Sequence, residues 1–229
     1  MFCKECVLLF VRVPEKGKVK SRLSKDLGED TALSLYENFV LDIIETLKKG
    51  GHPFNICFFP PALPESVRNR LGEGYSYRPQ SGKDLGERMK NAFFDAFSDR
   101  FEKVILIGSD IPDLTNSVLD EAFAFTDDAV IGPAVDGGYY LIGFRKSTLL
   151  PEIFEGVQWG TTSVFEQTME IFETHNYKVR IAPKWRDVDR LDDLKALVER
   201  NRDTEFSHSR TMAFIEKNLK SLLGKFKAG

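Results

Sequence analysis

A run of branched apolar residues that ends abruptly at a carboxylate constrains the fold of this chain more than any other feature. Residues 104–107 (VILI) are followed by Gly108, Ser109 and Asp110. A short apolar run bounded by turn residues is typical of a buried strand in a parallel sheet. Pro112 stops the strand, because it lacks an N–H and restricts the residue before it. The sequence therefore predicts Asp110 at the carboxyl edge of a sheet, where open α/β sheets bind ligands and where a carboxylate can hold a divalent cation.

Strand-like and helix-like segments alternate along the chain, which predicts βαβ units in a three-layer α/β/α fold with a mostly parallel sheet. We expect one domain over residues 1–200 and an extension over residues 201–229. The extension comprises a polar linker (201–209) and an amphipathic helix (211–226) that packs on the same domain or on a second subunit, giving a homodimer. The predicted strands are 7–13, 54–59, 104–107, 129–131, 139–144 and 178–182; the predicted helices are 32–47, 64–71, 85–97, 117–125, 161–172 and 191–198.

Composition excludes several classes of protein. The 229 residues include 32 basic and 35 acidic side chains, and this near balance does not favour a nucleic-acid partner. No apolar run reaches the roughly 18 residues of a membrane span, and the N-terminus lacks a signal-peptide pattern. We therefore expect a cytoplasmic protein that binds no membrane. Cys3 and Cys6 have C-x-x-C spacing, but no second pair of ligands is present to complete a zinc site.

The segment after the first predicted strand is strongly basic. It places Arg12, Lys16, Lys18, Lys20 and Arg22 within eleven residues, between a strand and a helix. Arginine makes bidentate contacts with phosphate and lysine supplies a point charge, so the cluster suits a polyphosphate. The segment contains neither a Walker loop nor a Rossmann fingerprint. The alternative is a solvated basic loop.

A glycine-bearing loop opens the predicted helix at residue 85 and is a second candidate for phosphate or nucleotide binding. It contains Gln80 and Gly82, and Arg88 follows one turn into the helix. Helix N-termini favour anions. The alternative is an ordinary loop in which Asp84 caps the helix.

Residues 132–143 contain Asp136, Gly137 and Gly138 between two predicted strands, followed by Tyr139. Asp-Gly-Gly is a strong turn signal, so a plain hairpin is one interpretation. In the other, the glycines let the backbone approach a ligand, and Asp136 contacts a sugar or an acceptor and could serve as its base.

Residues 157–163 offer Trp159 for stacking on a ring and Thr161 for a polar contact on the acceptor or sugar side. The alternative is a core tryptophan followed by a helix cap.

Residues 186–194 contain alternating carboxylates, Asp187 and Asp189, between a strand and a helix. Taken alone, the segment favours helix capping by Asp189, with Asp192 and Asp193 compensating the helix dipole. Together with Asp110, the pair Asp187 and Asp189 forms a candidate site for Mg²⁺ or Mn²⁺, because Mg²⁺ binds one or two protein carboxylates and fills its octahedron with phosphate oxygens and water.

These motifs occur in a fixed order: a basic S-R-L segment, Q-x-G-x-x-L-G-E-R-M, G-S-D-I-P-D-L, D-G-G-Y-Y-L-I-G, W-G-T and D-V-D. In this order the chain resembles the bacterial GT-A-like nucleotide-diphospho-sugar transferases, a family long carried as a domain of unknown function. It is similar, more distantly, to molybdenum-cofactor and phospholactate nucleotidyltransferases. The resemblance spans residues 7–198. It implies a GT-A fold, metal binding by Asp110, Asp187 and Asp189, and nucleotide-phosphate contacts from Lys20 and Arg22.

Two departures from related patterns leave the reaction open. The G-x-G-x-R opening of sugar-nucleotide pyrophosphorylases is absent, and so is the D-x-D of typical GT-A glycosyltransferases. The first hypothesis is a metal-dependent nucleotide-diphospho-sugar transferase that uses Asp110, Asp136 and Lys20. The second is a nucleotidyltransferase that joins a nucleoside triphosphate to a phosphorylated or carboxylate acceptor and releases pyrophosphate. The third is a non-catalytic nucleotide-binding module.

Overall fold

The computed structural model describes residues 4–223, with side chains described through residue 219. Within these residues the chain forms a seven-stranded sheet with the order β3-β2-β1-β4-β6-β5-β7. Strand β6 is antiparallel to both of its neighbours, and every other pairing is parallel. The strands are β1 (Glu5–Arg12), β2 (Phe54–Phe59), β3 (Ser76–Pro79), β4 (Lys103–Ile107), β5 (Ala129–Pro133), β6 (Tyr139–Arg145) and β7 (Val179–Ile181).

Helices cover both faces of the sheet, which confirms the predicted three-layer α/β/α architecture. On one face α2, α3, α5, α7 and α8 pack on Val7, Leu9 and Val11 of β1. On the other, α4 and α6 pack on Leu8 and Phe10. The helices are α1 (Ser21–Leu27), α2 (Glu29–Gly50), α3 (Glu65–Leu71), α4 (Leu85–Ser98), α5 (Asn116–Phe123), α6 (Val164–Thr174), α7 (Leu191–Arg200) and α8 (Arg210–Leu223).

The strand order reverses between β1 and β4. From β1 the chain proceeds outward through β2 and β3, then returns to place β4 on the other side of β1. Such a reversal opens a crevice at the carboxyl ends of the two central strands. Arg12 ends β1, and Gly108, Ser109 and Asp110 follow β4. The fold therefore brings the predicted basic segment and the predicted carboxylate to the same crevice.

Local structure departs most clearly from the predicted elements at three places. The seven-residue helix α1 was not predicted. Strand β3 was also missed, because it is a mostly exposed edge strand without an apolar run. The helix predicted over 161–172 begins at Val164 instead, because the Thr161 hydroxyl and N–H both bond to the carbonyl of Gln158 and hold the preceding residues in a turn.

The C-terminal helix α8 packs on α2 of the same chain, where Ile215 and Leu219 are buried in the core. Asp42 of α2 accepts hydrogen bonds from the backbone N–H groups of Arg210 (3.0 Å) and Thr211 (2.8 Å). These are orphan donors of the first turn of α8, so a carboxylate from another helix caps α8. The segment 201–209, proposed as a linker, begins with the buried residue Asn201 and contains a 3₁₀ turn over Glu205–His208.

No helix in the described part of the chain combines the length and apolarity needed to cross a bilayer. Cys3 lies outside the described residues, and Cys6 is buried in the sheet.

Candidate active site

A cavity of about 640 Å³ lies at the carboxyl edge of β1 and β4. Five cationic and three acidic side chains line it, together with aromatic and apolar ones. The cationic residues are Arg12, Lys18, Lys20, Arg22 and Arg88; the acidic residues are Asp110, Asp136 and Asp189; the aromatic residues are Phe10, Tyr36, Phe59, Tyr139, Tyr140 and Trp159.

Lys20 is the most enclosed charged group of the cavity. Its side chain is 3% exposed, and its ammonium lies 2.6 Å from Asp110 Oδ1 and 3.0 Å from Asp189 Oδ1. It also donates to the carbonyl of Val188 at 2.6 Å. Burial alone would lower the pKa of Lys20, but the two carboxylates outweigh it and raise the pKa above its ordinary value. The ammonium is thus a fixed positive charge.

The backbone at Lys20 adopts the left-handed conformation (φ 48°, ψ 44°) just before α1. A non-glycine residue in this region is uncommon and carries a conformational cost. The contacts of the ammonium offset that cost, and they turn the side chain back toward the sheet rather than into solvent. The basic segment is therefore more than a solvated loop at this position.

Tyr36 joins the ends of β1 and β4 beneath the cavity. Its hydroxyl lies 2.9 Å from Ser109 Oγ and accepts a 3.0 Å hydrogen bond from the backbone N–H of Arg12. Burial, followed by the charge of Asp110, raises the pKa of Tyr36 to about 12, so the phenol stays protonated at neutral pH. This link fixes the spacing of the two strand ends that flank the site.

The segment 186–189 lies beside Asp110, as predicted. The N–H of Val188 donates to the backbone carbonyl of Asp110 at 2.8 Å. Asp189 binds Lys20 and, at 3.3 Å, Arg22. One carboxylate from the end of β4 and one from the segment after β7 thus share a single ammonium.

Asp187 belongs to the same acidic group, although it does not line the cavity. Burial, followed by the nearby carboxylates of Asp136, Asp189 and Asp110, raises its pKa to about 6. The four carboxylates therefore lie close enough together to repel one another.

The three predicted metal ligands, Asp110, Asp187 and Asp189, do not form a ready-made site. Within residues 4–223, no three His, Cys, Asp or Glu side chains form a group that could hold a metal ion. The Lys20 ammonium lies between Asp110 and Asp189 and partly neutralises them, whereas Asp187 does not contact it. The chemistry of the donors nevertheless suits Mg²⁺ or Mn²⁺, because they are hard carboxylate oxygens whose mutual repulsion a divalent cation would relieve.

Asp113, the second carboxylate after β4, has a different environment. It is 4% exposed and accepts hydrogen bonds from Trp185 Nε1 (3.0 Å), Arg200 Nε (2.6 Å) and Nη2 (2.9 Å), and Asn201 Nδ2 (2.8 Å). Arg200 also donates to the carbonyl of Arg186. Asp113 therefore anchors the segment that carries Asp187 and Asp189.

Five of the six predicted nucleotide-binding residues line the cavity: Lys20 and Arg22 lie beside Asp189, and Arg12, Gln80 and Arg88 are the other three. The amide of Gln80 is tied to the carbonyl of Cys57 at 2.7 Å. Gly82 lies behind the wall: its φ is +144°, and a Cβ there would meet the backbone nitrogen of Arg88 at 2.7 Å. Asp84 caps α4 through the N–H of Glu87, so the capping interpretation is confirmed beside the cavity.

Five of the six predicted acceptor residues form another part of the cavity lining, the acceptor wall. Asp136, Gly138, Tyr139, Trp159 and Thr161 line the cavity, and Tyr139 and Trp159 pack edge to face with ring centroids 6.3 Å apart.

The hairpin interpretation is also confirmed for the Asp-Gly-Gly turn. The N–H of Gly138 donates to Asp136 Oδ1 at 2.9 Å. Gly137 does not face the cavity; it packs against the backbone of Thr162, which a Cβ would meet at 2.0 Å.

Sequence analysis missed several residues of the cavity. Tyr36 looks like one more apolar residue in the stripe of α2, and Ser109 like one more turn residue. Lys18, which belongs to the predicted basic segment, also lines the cavity. The missed lining residues include Tyr36, Phe59, Leu85, Met89 and Ser109.

Comparison with known proteins supports the fold and the family. A solved structure from Desulfovibrio desulfuricans G20, described as a "putative nucleotide-diphospho-sugar transferase", is 40% identical over 100% of both chains, with a TM-score of 0.94. Two distant likenesses show the fold alone. A cytidylyltransferase from Leptospira borgpetersenii serovar Hardjo-bovis (strain JB197) is 17% identical over 100% of both chains, with a TM-score of 0.52. Rv0371c from Mycobacterium tuberculosis H37Rv, in complex with manganese, is 14% identical over 85% of this chain and 97% of that one, with a TM-score of 0.51.

No protein of curated function matches the sequence. One family profile, that of DUF2064, matches residues 43–161, which is more than half of the chain and includes the end of β4, Asp110 and the Asp-Gly-Gly turn. The high identity of the D. desulfuricans protein over its full length agrees with this assignment. The chain belongs to the DUF2064 family, described as uncharacterized proteins conserved in bacteria.

Proposed function

We propose that this protein is a nucleotidyltransferase that binds the phosphate chain of a nucleoside triphosphate at the carboxyl ends of β1 and β4. One observation carries the proposal: five cationic and three acidic side chains line a single cavity at the reversal of strand order. Five cations against three carboxylates give the lining a net positive charge, which favours the binding of an anion. A triphosphate is the nucleotide form with the most negative charge.

In this reaction an oxygen of the acceptor attacks the α-phosphorus in line, a new P–O bond forms, and pyrophosphate leaves with the bonding electrons. Lys20 and Arg22 stabilise the negative charge that develops on the departing pyrophosphate, and Lys18 adds a further cation at the rim. Such preorganised charge in a sheltered crevice is a main source of catalysis in phosphoryl-type transfer.

A divalent ion would be held by Asp110 and Asp189, with Asp187 behind them. When bound, Mg²⁺ or Mn²⁺ would supply Lewis acidity and a template for the phosphate oxygens. Two further facts support this kind of chemistry: the cytidylyltransferase and the manganese-bound Rv0371c have the same fold.

Glycosyl transfer from a nucleotide-diphosphate sugar is the second candidate function. The description of the D. desulfuricans relative favours it. So does the exposed Asp136 on the acceptor wall, where a carboxylate could take a proton from an acceptor hydroxyl. The same phosphate contacts would then hold a diphosphate leaving group. Full turnover in an Asp136→Asn variant would show that Asp136 is not the base.

The effect of each class of nucleotide on Tm distinguishes nucleotidyl transfer from glycosyl transfer. We would measure Tm with Mg²⁺ or Mn²⁺ and either the nucleoside triphosphates or nucleoside-diphosphate sugars, on the wild type, Asp110→Ala and the exposed control Asp203→Ala. A ligand at about 100 times its Kd adds roughly 2.7 kcal/mol to stability.

Metal-dependent stabilisation by one triphosphate, lost in Asp110→Ala and kept in Asp203→Ala, is the result expected for nucleotidyl transfer. Stabilisation by a diphosphate sugar alone would establish the second candidate. If no nucleotide raises Tm in a metal-dependent way, both candidate reactions fail, and a non-catalytic nucleotide-binding role or a different function replaces them.

A further inference from the structure

Two arginines of the cavity face it without a carboxylate partner. Arg12 ends β1 and Arg88 lies in the first turns of α4. Among the described residues, neither guanidinium forms an ion pair within 4 Å, whereas Lys20 and Arg22 both do. The charges of Arg12 and Arg88 are therefore available to a ligand.

Phe59 brings the two arginines together. It is the register partner of Arg12 on the neighbouring strand β2. The guanidinium of Arg88 lies over its ring, with Cζ 4.1 Å from the ring centroid. Stacking on an aromatic face holds the guanidinium plane in place and leaves its N–H edges free for a bidentate contact.

Arg88 is held in an environment that disfavours an unpaired cation. Its Nε is buried and has no hydrogen-bond partner. Burial lowers the pKa of Arg88, Asp84 opposes this shift, and the like charge of Arg12 lowers the pKa further. Two guanidinium groups that repel each other beside an unsatisfied donor gain most from an anion placed between them.

This pair lies apart from the Lys20 contacts. Lys20 packs over Tyr36 and Phe39 of α2, on one face of the sheet. Arg88 belongs to α4, which packs on the other face. One subsite is therefore at the β1–β4 boundary and the other at the β1–β2 boundary, and a single cavity spans both.

We infer that Arg12 and Arg88 form a second anion subsite, which binds a phosphate or carboxylate group of the second substrate while the Lys20 side holds the nucleotide. The inference rests on the proposed function in one respect, since it takes the Lys20 side to be occupied by nucleotide phosphates. It names the chemical class of the second substrate: an acidic small molecule rather than a neutral sugar or alcohol.

The test uses the full chain and inorganic ions as probes. Sodium phosphate and sodium acetate are titrated into ¹⁵N-labelled protein, and the side-chain Nε–Hε signals of Arg12 and Arg88 are followed by NMR, assigned with Arg12→Gln and Arg88→Gln. We expect both signals to shift together with one Kd. We also expect calorimetry to show phosphate affinity falling at least tenfold in either variant.

Matched variants distinguish phosphate bound at the Arg12–Arg88 subsite from non-specific attraction of phosphate to positive charge. Lys83→Gln removes an exposed cation from the same loop outside the cavity wall and should leave the affinity unchanged. Arg88→Lys keeps the charge but loses the planar fork, so it should bind phosphate with intermediate affinity. Arg88→Lys also serves as a control for stability: if Arg88→Gln fails to fold, the conservative variant still tests the subsite. A tighter response to acetate than to phosphate would assign a carboxylate to the second substrate.

Three results would overturn the inference: arginine signals that do not shift, equal loss of affinity in Lys83→Gln, or loss of nucleotide stabilisation together with phosphate binding in Arg88→Gln. The last would mean that the pair serves the nucleotide itself. Failure of the proposed function has a different signature, because no nucleotide would then stabilise even the wild type.

Discussion

The ammonium of Lys20 lies 2.6 Å from Asp110 and 3.0 Å from Asp189, and so joins the end of β4 to the segment after β7. Lys20→Met should therefore weaken nucleotide binding and turnover together. A charge-assisted hydrogen bond contributes about 1.5–3 kcal/mol, so we expect a loss of roughly tenfold to a hundredfold. Kd and kcat are the quantities to measure. Lys18→Met removes an exposed cation of the same cavity and should cost only a few-fold; equal losses would contradict a special role for Lys20.

We expect Asp113 to contribute to the free energy of unfolding, whereas Asp110 contributes to function. Removing one partner of a buried charge pair costs about 3–5 kcal/mol, and Asp113 is buried against Arg200. Asp113→Ala should thus unfold at much lower denaturant concentration than wild type. Asp99→Ala breaks an exposed pair with Arg78 and should cost less than about 1 kcal/mol. Similar midpoints for the two variants in urea would show that Asp113 is not a structural anchor.

The capping contact between α2 and α8 predicts a local effect. Asp42→Ala leaves the N–H groups of Arg210 and Thr211 without their acceptor. Loss of a helix cap costs about 1 kcal/mol. Amide hydrogen exchange should therefore speed up across residues 210–219 more than in the sheet. Uniform acceleration across the whole chain would argue against a local cap.

Burial raises the pKa of Asp42 above its ordinary value, although the backbone donors of α8 oppose the shift. The folded state then binds this proton more tightly than the unfolded state, so the contribution of Asp42 to stability falls as pH rises through the interval between the two pKa values. Asp42→Asn is neutral throughout. Its Tm relative to wild type should therefore improve as pH rises from below the ordinary pKa of an aspartate toward neutrality. A difference in Tm that stays constant with pH would refute this.

The architecture was predictable because its central strands have a clear local signal, namely short apolar runs bounded by turn residues. The apolar run before Asp110 and the alternation of strands and helices both depend on local sequence. These patterns are sufficient to predict Lys20, Asp110 and Asp189 at one edge of the sheet.

The contacts between distant segments were not predictable. Nothing near Asp113 in the sequence indicates that Arg200 will neutralise it, and Tyr36 gives no sign that its hydroxyl will reach Ser109. The position of Lys20 between two predicted metal ligands was hidden for the same reason. Each of these depends on tertiary approach, which periodicity and turn chemistry do not encode.

The Asp-Gly-Gly turn offers a matched pair of glycines. Gly137 has φ +93°, and a Cβ there would lie 2.0 Å from the carbonyl oxygen of Thr162, so Gly137→Ala must displace the backbone that carries the acceptor wall. A Cβ at Gly138 would meet only the side chain of Asp136, at 3.3 Å. Gly137→Ala should therefore lower Tm by several degrees, consistent with a cost of about 1–3 kcal/mol for backbone strain. Gly138→Ala should lower Tm less. Equal Tm values for the two variants would show that the backbone around Thr162 moves aside at little energetic cost.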